Sequence, residues 1–543
     1  MNAFTSSHAL FQVFADNGMD RIFLVPGESY LGLLDAVVDF PQIDVVTCRH
    51  EGGAGYMAVA DGRLTGRPGV ALVSRGPGAS NAAIAVHTAQ QDAVPMILIV
   101  GQIAARDLRR EAFQEIDYQH MYGSIAKWVF ECQTPEQLGE AAFKAIRMAT
   151  SGVPGPVVLV IPEDIQQQTV VKPTFRNHAQ IYGLPEQSVM DDISKRLADA
   201  KRPVVIAGGV FDCAGGREAL SAFVHHWQIP TMVSFRRHDI FANDDPLFVG
   251  DLGLSNQAAQ MATLQESDFI LALGTRLGDI TTQNFRFPRY AQASQKLLHC
   301  YPDSRIVNWD TVADYPLVCD PVALVRALTQ ANAIQPGTAR QEWLKSLRQH
   351  ALPYAAWPNR QAKKGVNFTD VVRAVADNAS RDTTICLDAG TFAAPVYRHF
   401  NFKSGQRLMA PLAGAMGYGT PAALACALRN PERTTVCMVG DGGFLMTGNE
   451  MILAVERKLP IIFIVSNNSS YGSIRLHQEH GYPGRVSGTS LFNPDFYTLA
   501  TSFGMKAARI ENKSDIDGAI KAALLSREPL LIEVNTSLDA ILP

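Results

Sequence analysis

The sequence predicts an α/β protein built from three tandem, doubly wound parallel-sheet domains, and three observations support this fold class. The chain has 543 residues, which is too long for one hydrophobic core and suits three domains of about 150 to 190 residues. Short apolar runs alternate with helix-like segments along its whole length. Most of these runs end on glycine or a polar residue, which is typical of buried parallel strands. We therefore expect domains at 1–168, 186–334 and 360–543, with linkers at 166–185 and 335–367.

The first domain contains five strand-like runs, each rich in valine, isoleucine and leucine. They lie at residues 20–25, 43–48, 69–74, 95–101 and 154–162. The second run leads into a segment whose glycines and alanines predict a tightly packed helix over residues 52–60.

The middle and last domains repeat this pattern. The middle domain has buried-strand runs at 201–209 and 269–276. The clearest strands of the last domain are 436–439 and 461–465, and the segment 447–458 between them has the length and apolar spacing of one amphipathic helix. This βαβ unit places both strand ends at one edge of the sheet.

Composition narrows the class of protein. The net charge of −4 and the pI near 6.4 argue against a nucleic-acid or anionic-membrane partner. The eight cysteines are scattered and form no Cys-x-x-Cys pair, which is typical of reduced thiols in a cytosolic protein. No signal peptide and no apolar run of about 18 residues is present. We therefore expect a cytoplasmic protein without a membrane or nucleic-acid partner.

Two polar residues follow the strands of the βαβ unit in the last domain. Asp441 stands in Gly-Asp-Gly, and Asn468 follows 27 residues later. Since both lie at the carboxyl edge of the sheet, they are expected to face one site. Carboxylate and amide oxygens suit Mg²⁺, and Gly442 and Gly443, just ahead of a helix start, leave backbone N–H groups free for phosphate. Gly-Asp-Gly alone is common, and the spaced asparagine is what makes the motif informative.

A single carboxylate stands out in the first domain. Glu51 lies between a predicted strand and the small-residue helix that follows it. A partly desolvated carboxylate at such a junction suits acid–base chemistry. A simpler interpretation is a helix N-terminal carboxylate that the helix dipole stabilises, and the local pattern alone leaves both interpretations open.

Four further segments carry a resemblance to a known family, and they lie at residues 49–51, 74–81, 111–115 and 150–156. With the Gly-Asp-Gly and Asn-Asn pair, they resemble the acetolactate synthase branch of the thiamine-diphosphate enzymes over nearly the whole chain. The resemblance implies a pyrimidine-binding, a central and a diphosphate-binding domain, with thiamine diphosphate and Mg²⁺ as cofactors. It also implies decarboxylation of a 2-oxo acid and transfer of the resulting C2 carbanion, as an enamine, to a carbonyl acceptor.

The resemblance assigns roles to individual residues. Glu51 would hydrogen-bond the aminopyrimidine ring and stabilise its imino tautomer, and Met416 would wedge the two cofactor rings against each other. Gln114 would line the site near the thiazolium. Family members bind the cofactor between two subunits, which implies a homodimer or homotetramer in which Glu51 meets Asp441 across an interface.

The implied ligands fall into two sets. The metal ligands are Asp441, Asn468 and Ser470. The cofactor contacts are Glu51, Pro77, Asn81, Gly390, Thr391, Ala415, Met416, Gly442, Gly443, Asn468 and Tyr471.

The chain departs from the family at positions that bear on the substrate. His477 stands where the synthases carry a tryptophan, nine residues after the metal-binding asparagine. Glu28 stands where they usually have a glycine, and it either acts at the reacting centre or points to solvent. Thr391 and Phe392 replace a Gln-His pair. The candidate catalytic residues are Glu51, Gln114, Glu28 and His477.

The synthases also bind FAD, as a structural cofactor, in the middle domain. Residues 274–279 keep part of the corresponding segment but lack its Asp-Asp-Arg sequence. The sequence therefore leaves FAD open.

Alternative functions remain beside the carboligase. A 2-oxo acid decarboxylase or a 2-hydroxyacyl lyase would use the same cofactor and differ only in what takes the enamine. A nucleotide-binding oxidoreductase is suggested by residues 417–422, a Gly-x-Gly-x-x-Ala pattern with Thr420 as N-cap and Pro421 at the first helical position. A non-catalytic relative is disfavoured because Glu51, Asp441 and Asn468 are all present.

Overall fold

Three parallel sheets follow one another along the chain. The computed structural model describes residues 4–176, 181, 183–254, 256–288, 295–332, 337–359, 362 and 365–538. Within them lie three six-stranded sheets flanked by helices, and all strand pairs are parallel. This confirms the predicted α/β fold class. The predicted domain limits 1, 334, 360 and 543 and parts of both predicted linkers lie outside the described residues, so the domain boundaries stay a prediction.

The first sheet brings several predicted site residues to one edge. Its strands are β1 (Arg21–Leu24), β2 (Asp44–Thr47), β3 (Gly69–Val73), β4 (Met96–Gln102), β5 (Trp128–Glu131) and β6 (Pro156–Pro162), in the order β2-β1-β3-β4-β6-β5. The helices are α1 (Ser6–Asp16), α2 (Leu31–Val37), α3 (Glu51–Thr65), α4 (Pro77–Asp92), α5 (Tyr118–Tyr122) and α6 (Gln137–Thr150). The half-buried edge strand β5 was not predicted, because its short run lacks a clear alternation of apolar and polar residues.

The middle sheet has the same doubly wound form. Its strands are β7 (Pro203–Ala207), β8 (Thr231–Val233), β9 (Phe248–Asp251), β10 (Phe269–Leu273), β11 (Lys296–Cys300) and β12 (Tyr315–Leu317), in the order β12-β11-β10-β7-β8-β9. Its helices are α7 (Gln187–Asp199), α8 (Gly216–Trp227), α9 (Ala258–Leu264), α10 (Pro321–Leu328) and α11 (Thr338–Ala355).

The last sheet carries the Gly-Asp-Gly motif at the end of a central strand. Its strands are β13 (Thr383–Leu387), β14 (Arg407–Met409), β15 (Thr434–Gly440), β16 (Ile461–Asn467), β17 (Lys506–Ile510) and β18 (Leu530–Asn535), in the order β14-β13-β15-β16-β18-β17. Its helices are α12 (Phe368–Asn378), α13 (Ala394–His399), α14 (Gly419–Arg429), α15 (Asp441–Thr447), α16 (Ile452–Glu456), α17 (Gly472–Gly481), α18 (Phe496–Ser502) and α19 (Ile516–Leu525).

Two local predictions in the last domain were wrong. The segment 447–458 is not one helix, because α15 begins at Asp441, a 3₁₀ turn (Gly448–Met451) follows it, and α16 comes after that turn. Gly442 and Gly443 therefore lie inside the first turn of α15. The break falls at Gly448, which lies against the Phe444 ring and leaves no room for a side chain there.

The second wrong prediction concerns the start of α14. Tyr418, not Thr420, is the N-cap residue, and the helix begins at Gly419. Pro421 is consequently the third helical residue rather than the first. Among the described residues no side chain caps the start of α14, so the predicted capping role of Thr420 is wrong.

Helix α3 joins the first domain to the last. Residues 52–63 of α3 are all buried, and alanines of α3 and α14 belong to one hydrophobic cluster. The rings of Tyr56 and Tyr418 pack edge to face, with their centroids 5.6 Å apart. Small residues let the two helices approach closely, so Glu51 is fixed relative to both domains.

Among the described residues, every helix is too short or too polar to cross a membrane.

The packing of α3 on β3 gives a test of the fold. A Cβ atom at Gly69 would lie 1.8 Å from the carbonyl oxygen of Ala58 in α3. We therefore expect Gly69→Ala to lower the free energy of unfolding by about 3 kcal/mol or more, because backbone must move. The matched control is Gly66→Ala, where no atom lies within 4 Å but φ is +67°, and it is expected to cost only about 1 kcal/mol. Equal losses in urea unfolding would contradict this packing.

Candidate active site

The Asp441 carboxylate lies at the carboxyl end of β15, where α15 begins. It is buried, with 2% of its surface exposed. Its Oδ1 accepts a hydrogen bond from the Gly442 N–H at 2.9 Å, and its Oδ2 accepts one from Asn493 Nδ2 at 2.8 Å. Burial raises the pKa of Asp441, while the Asn493 amide and nearby backbone N–H groups oppose that rise. Asn493 was missed by sequence reasoning because it lies 52 residues beyond the motif.

The loop after β16 wraps around this carboxylate. The backbone N–H groups of Asn468 and Ser470 donate to Asp441 Oδ2 at 3.2 and 3.3 Å. The Asn468 side-chain oxygen accepts the Ser470 N–H at 3.0 Å, and the Ser470 carbonyl accepts the Gly472 N–H at 2.8 Å. The Tyr471 ring packs on Gly442, where a Cβ would lie 2.5 Å from it. The predicted metal ligands are thus neighbours in one hydrogen-bonded turn.

The chemistry of this donor set limits what it can bind. Within the described ranges, no cluster of three or more histidine, cysteine, aspartate or glutamate side chains is arranged to hold a metal ion. A cation at Asp441 would therefore depend on one carboxylate together with amide and carbonyl oxygens. These oxygen ligands suit a hard cation such as Mg²⁺, which keeps part of its coordination shell for phosphate and water.

Asp388 connects the turn around Asp441 to the segment that carries Met416. It is buried, and burial raises its pKa to about 6. Its Oδ2 accepts the Gly417 N–H at 2.8 Å and would lie 2.5 Å from a Cβ at Gly443. Three residues further on, the Thr391 N–H donates to Ser473 Oγ at 2.9 Å. The predicted residues Gly390 and Thr391 therefore lie beside the Gly-Asp-Gly turn.

Met416 projects from an irregular segment between β14 and α14. Its side chain is one of the exposed large apolar groups, at 41%, whereas Gly417 next to it is buried. The Met416 carbonyl accepts a hydrogen bond from the Tyr56 hydroxyl of the first domain at 3.3 Å. Met416 is thus held by its carbonyl and Ala415 by packing on the core, while the thioether stays exposed.

Glu51 is the first residue of α3, at the carboxyl edge of the first sheet. Its Oε2 accepts a hydrogen bond from Asn81 Nδ2 of α4 at 2.9 Å, and its Oε1 would lie 3.3 Å from a Cβ at Gly78. Pro77 begins α4, one turn before Asn81. Glu51, Pro77 and Asn81 therefore form one group.

The remaining candidate catalytic residues lie on the surface of the single chain. Glu28 begins a 3₁₀ turn (Glu28–Tyr30) and is exposed, and His477 is exposed on α17. Gln114 has a φ of +64°, and its backbone packs on Gly76. We call the group of Glu51, Pro77 and Asn81 and the group around Asp441 the two half-sites. Among the described residues, the Glu51 carboxylate bonds to Asn81 and the Asp441 carboxylate bonds within its own domain, so no hydrogen bond joins these two carboxylates to each other's half-site.

A buried glutamate that sequence reasoning missed lies next to Glu51. Glu450, which has no exposed surface, accepts the backbone N–H groups of Arg49 and His50 at 3.0 and 2.9 Å. It therefore binds the start of α3 from the last domain, where a negative charge is favoured by the helix dipole. No local pattern indicates this contact, because about 400 residues separate Glu450 from Arg49 and His50 in the sequence.

The carboxyl edge of the middle sheet is filled by arginine side chains. In an open parallel sheet, a dinucleotide phosphate lies at the turn after the central strand, which here is Gly208-Gly209 after β7. Arg237 covers that turn, because its Nε would lie 2.8 Å from a Cβ at Gly209. The side chain is buried, and its Nη2 donates to the Asp92 carbonyl at 3.2 Å.

A cavity of about 480 Å³ opens elsewhere, between the first and middle domains. It is lined by Lys127, Met148, Ser151, Gly152, Pro302, Asp303, Ser304, Arg305 and Val318. Burial and the positive charge of Arg305 lower the pKa of Lys127 to about 8. None of the predicted site residues lines this cavity.

Comparison with known proteins identifies the family. Residues 4–121 match the N-terminal TPP binding domain of thiamine pyrophosphate enzymes, residues 190–328 match their central domain, and residues 388–534 match their C-terminal TPP binding domain. The chain belongs to the thiamine pyrophosphate enzymes.

Individual relatives show which thiamine pyrophosphate enzymes the chain resembles. The chain is 29% identical to the probable acetolactate synthase large subunit of Methanocaldococcus jannaschii, over 97% of this chain and 91% of that protein. It is 28% identical to the acetolactate synthase large subunit of Lactococcus lactis, over 98% and 92%, and 29% identical to the isozyme 3 large subunit of Escherichia coli, over 99% and 96%. It is an acetolactate synthase-like enzyme dependent on thiamine pyrophosphate, which confirms the predicted class. The decarboxylase, lyase and oxidoreductase alternatives are not favoured.

Glu450 gives a prediction about pH. Burial raises its pKa from 4.5 to about 7, so the folded protein holds this proton more tightly than the unfolded chain. The resulting stabilisation is fully present below pH 4.5 and is lost as the pH rises through 7, a change of about 3 kcal/mol. Glu450→Gln removes the titration, so relative to this variant the wild-type free energy of unfolding should fall over that range.

Urea unfolding between pH 4 and 8 measures this difference. The control is Glu456→Gln, which alters a half-exposed glutamate beside Arg49 and should leave the wild-type pH dependence in place. Parallel curves for wild type and Glu450→Gln would refute the assignment.

Proposed function

We propose that this enzyme uses thiamine diphosphate and Mg²⁺ to decarboxylate a 2-oxo acid and to join the remaining fragment to a carbonyl acceptor. Both substrates are small molecules. The observation that carries the proposal is the buried Asp441 carboxylate, whose oxygens are surrounded by the Asn468 and Ser470 loop at the end of a central strand. The likeness to acetolactate synthase large subunits supports ligation over simple decarboxylation.

The metal and the diphosphate fit the residues around Asp441. Asp441, Asn468 and Ser470 would supply carboxylate, amide and carbonyl oxygens to Mg²⁺. Gly442 and Gly443 lack side chains and lie in the first turn of α15, where backbone N–H groups favour a phosphate. The Gly442 N–H already donates to Asp441 Oδ1, which leaves Gly443 as the proposed donor. Gly390 and Thr391 would contact the same group. Bound thiamine diphosphate supplies the electron sink for loss of CO₂.

Glu51 is the proposed proton partner of the cofactor's pyrimidine ring. The Asn81 amide holds its Oε2, which leaves Oε1 facing the small residue Gly78. A carboxyl group held in one orientation by a single amide can keep or release a proton at a defined atom. Pro77 would line the same part of the site, and Ala415 and Met416 would support the ring pair from the other side.

We propose that the complete site forms between two copies of the chain. Apolar side chains near both half-sites are exposed in the single chain: Phe113 in the first domain, and Met416, Leu445, Met446 and Ile474 in the last. Exposed apolar groups around a polar centre are typical of an interface. A homodimer, or a homotetramer made of two such dimers, would cover them and bring Glu51 of one copy to Asp441 of the other.

Selection of the substrate is assigned to three residues at the edge of the site. Gln114 and Glu28 would contact the reacting groups from the first domain, and His477 would do so from α17. His477 provides a hydrogen-bond donor where the synthases have tryptophan. It therefore favours a carbonyl substrate that has an oxygen able to accept a hydrogen bond from the imidazole.

FAD does not fit the middle domain of this chain. The Gly208-Gly209 turn that would receive its phosphates is covered by the buried Arg237 side chain, which the first domain holds in place. We propose a flavin-free enzyme, organised in domains 1–168, 186–334 and 360–543. All eight cysteines are free thiols, and seven of them are buried, which supports action in the cytoplasm. The net charge of −4 supports the absence of nucleic-acid and anionic-membrane partners.

The reaction is tested with Glu51→Gln. We expect cofactor binding, measured by calorimetry with Mg²⁺, to stay largely intact while kcat falls about 10²- to 10⁴-fold. Glu140→Gln, at an exposed glutamate in the first turn of α6, is the control. Products from pyruvate and from aromatic 2-oxo acids identify the reaction, since release of aldehyde alone would favour the decarboxylase. Unchanged turnover would remove Glu51 from the mechanism.

Shared sites between copies are tested by mixing two inactive variants. A Glu51→Gln chain paired with an Asp441→Ala chain forms one site with both wild-type residues and one site with neither. Co-refolded mixtures should therefore regain activity that neither variant has alone. If Glu51 and Asp441 act within one chain, every mixture stays inactive.

A further inference from the structure

The segment that carries Met416 is part of neither a strand nor a helix. Residues 410–418 connect β14 to α14 and have no regular secondary structure. Ala410, Pro411, Gly417 and Tyr418 are nevertheless buried. Buried backbone N–H and C=O groups outside helices and strands need hydrogen bonds from elsewhere, so the partners of this segment determine its conformation.

The partners at the start of the segment come from the other two domains. Arg236 of the middle domain donates from Nη1 to the Pro411 carbonyl. Asp92, the last residue of α4, accepts the Ala413 N–H at 3.0 Å. Both side chains are almost fully buried, with 7% and 1% of their surface exposed.

A buried ionic network extends these contacts into the middle domain. Asp239 accepts the Leu408 N–H at 3.0 Å and pairs with Arg217 at 2.6 Å. Arg217 also pairs with Asp212 at 2.9 Å, and Asp212 in turn holds Arg63 of α3 at 3.2 Å. Arg63 Nη1 also donates to the Ala410 carbonyl at 3.5 Å, so the network contacts β14 from the middle domain and the first residue of the segment from the first domain.

The far end of the segment is held as firmly. The Tyr56 hydroxyl donates to the Met416 carbonyl, Asp388 accepts the Gly417 N–H, and Thr447 Oγ1 donates to the Gly417 carbonyl at 2.7 Å. The thioether of Met416 stays exposed between two fixed ends.

Arg236 itself adopts an unusual backbone conformation. Its φ is +55°, a left-handed conformation that costs a non-glycine residue about 1 kcal/mol or more. Its guanidinium lies 4.8 Å from the Phe235 ring and 5.3 Å from the Tyr397 ring of α13. Such a conformation persists only where surrounding contacts fix it, and here they aim the guanidinium at Pro411.

We propose that Arg236 and Asp92 are positioning residues that set the placement of Met416 against the cofactor, so that the middle domain acts on catalysis through segment 410–418. This inference rests on the proposed function, which gives Met416 its role. The hydrogen bonds of Asp441 involve no residue of the segment, so a small displacement of residues 411–416 would break none of them and would move the thioether. Misplacement of a positioning group by about 1 Å can cost 10²-fold in rate.

The test compares two identical substitutions. Arg236→Met removes the hydrogen bond to Pro411 and keeps apolar bulk between the two rings. The control, Arg340→Met, alters an equally buried arginine. Among the described residues its side chain donates to backbone carbonyls of the middle domain alone, at Leu197, Ala200 and Trp227. Arg236→Lys keeps a cationic donor and should restore much of the wild-type behaviour.

Two measurements separate this inference from the proposed function. In cofactor-free protein, the backbone amides of 408–418 should exchange with deuterium about 10-fold faster in Arg236→Met, because local opening becomes easier. With thiamine diphosphate bound, exchange of the thiazolium C2 proton should slow about 10²-fold, while cofactor affinity stays within a few-fold of wild type. Arg340→Met should lower thermal stability and change neither exchange rate.

Each outcome bears on one claim. If Arg236→Met and Arg340→Met behave alike in both exchange experiments, the positioning role is wrong. If wild-type protein binds no thiamine diphosphate, the proposed function fails, and the amide exchange of the cofactor-free protein still decides whether Arg236 holds the segment. If Arg236→Met does not fold, Asp92→Asn, which removes the charge at Ala413, is measured against the same control.

Discussion

Helices α3 and α14 pack through glycine and alanine, and this contact joins the first sheet to the last. It needs residues without bulky side chains along both helices, because a larger group would push the sheets apart. Glu51 stands at the start of α3, and segment 410–418 leads directly into α14. This apolar contact thus sets the position of the Glu51 carboxylate relative to α14, and the hydrogen bonds of segment 410–418 then place the Met416 thioether.

Buried charged groups also hold the three domains together. Buried charged groups lie where domains meet: Glu450 at the start of α3, and the arginine and aspartate network beside β14. Each group is matched by backbone groups or by an opposite charge, as burial requires. Charges of this kind add little net stability. They are sensitive to geometry, however, and therefore suit the exact placement of functional segments.

Much of this architecture could be predicted from the sequence. The apolar runs predicted the fold class, and the closeness of Asp441 and Asn468 was predicted because polar residues that follow buried strands meet at one sheet edge. Asp388, Glu450, Asn493 and Arg236 were not found, because their partners lie tens to hundreds of residues away and no local period reports such contacts. The segment 447–458 was misjudged for a related reason, since its spacing suits one helix but Gly448 packs on a ring and ends α15.

The shared core between α3 and α14 also affects how the protein is made. About 350 residues separate the end of α3 from the start of α14. A ribosome that adds about 5 to 20 residues per second needs roughly 20 to 70 seconds to cover that distance. During this interval the apolar face of α3 that packs on α14 is exposed to solvent in the nascent first domain. This exposure makes the domain a natural client for chaperones and a poor candidate for expression as an isolated fragment.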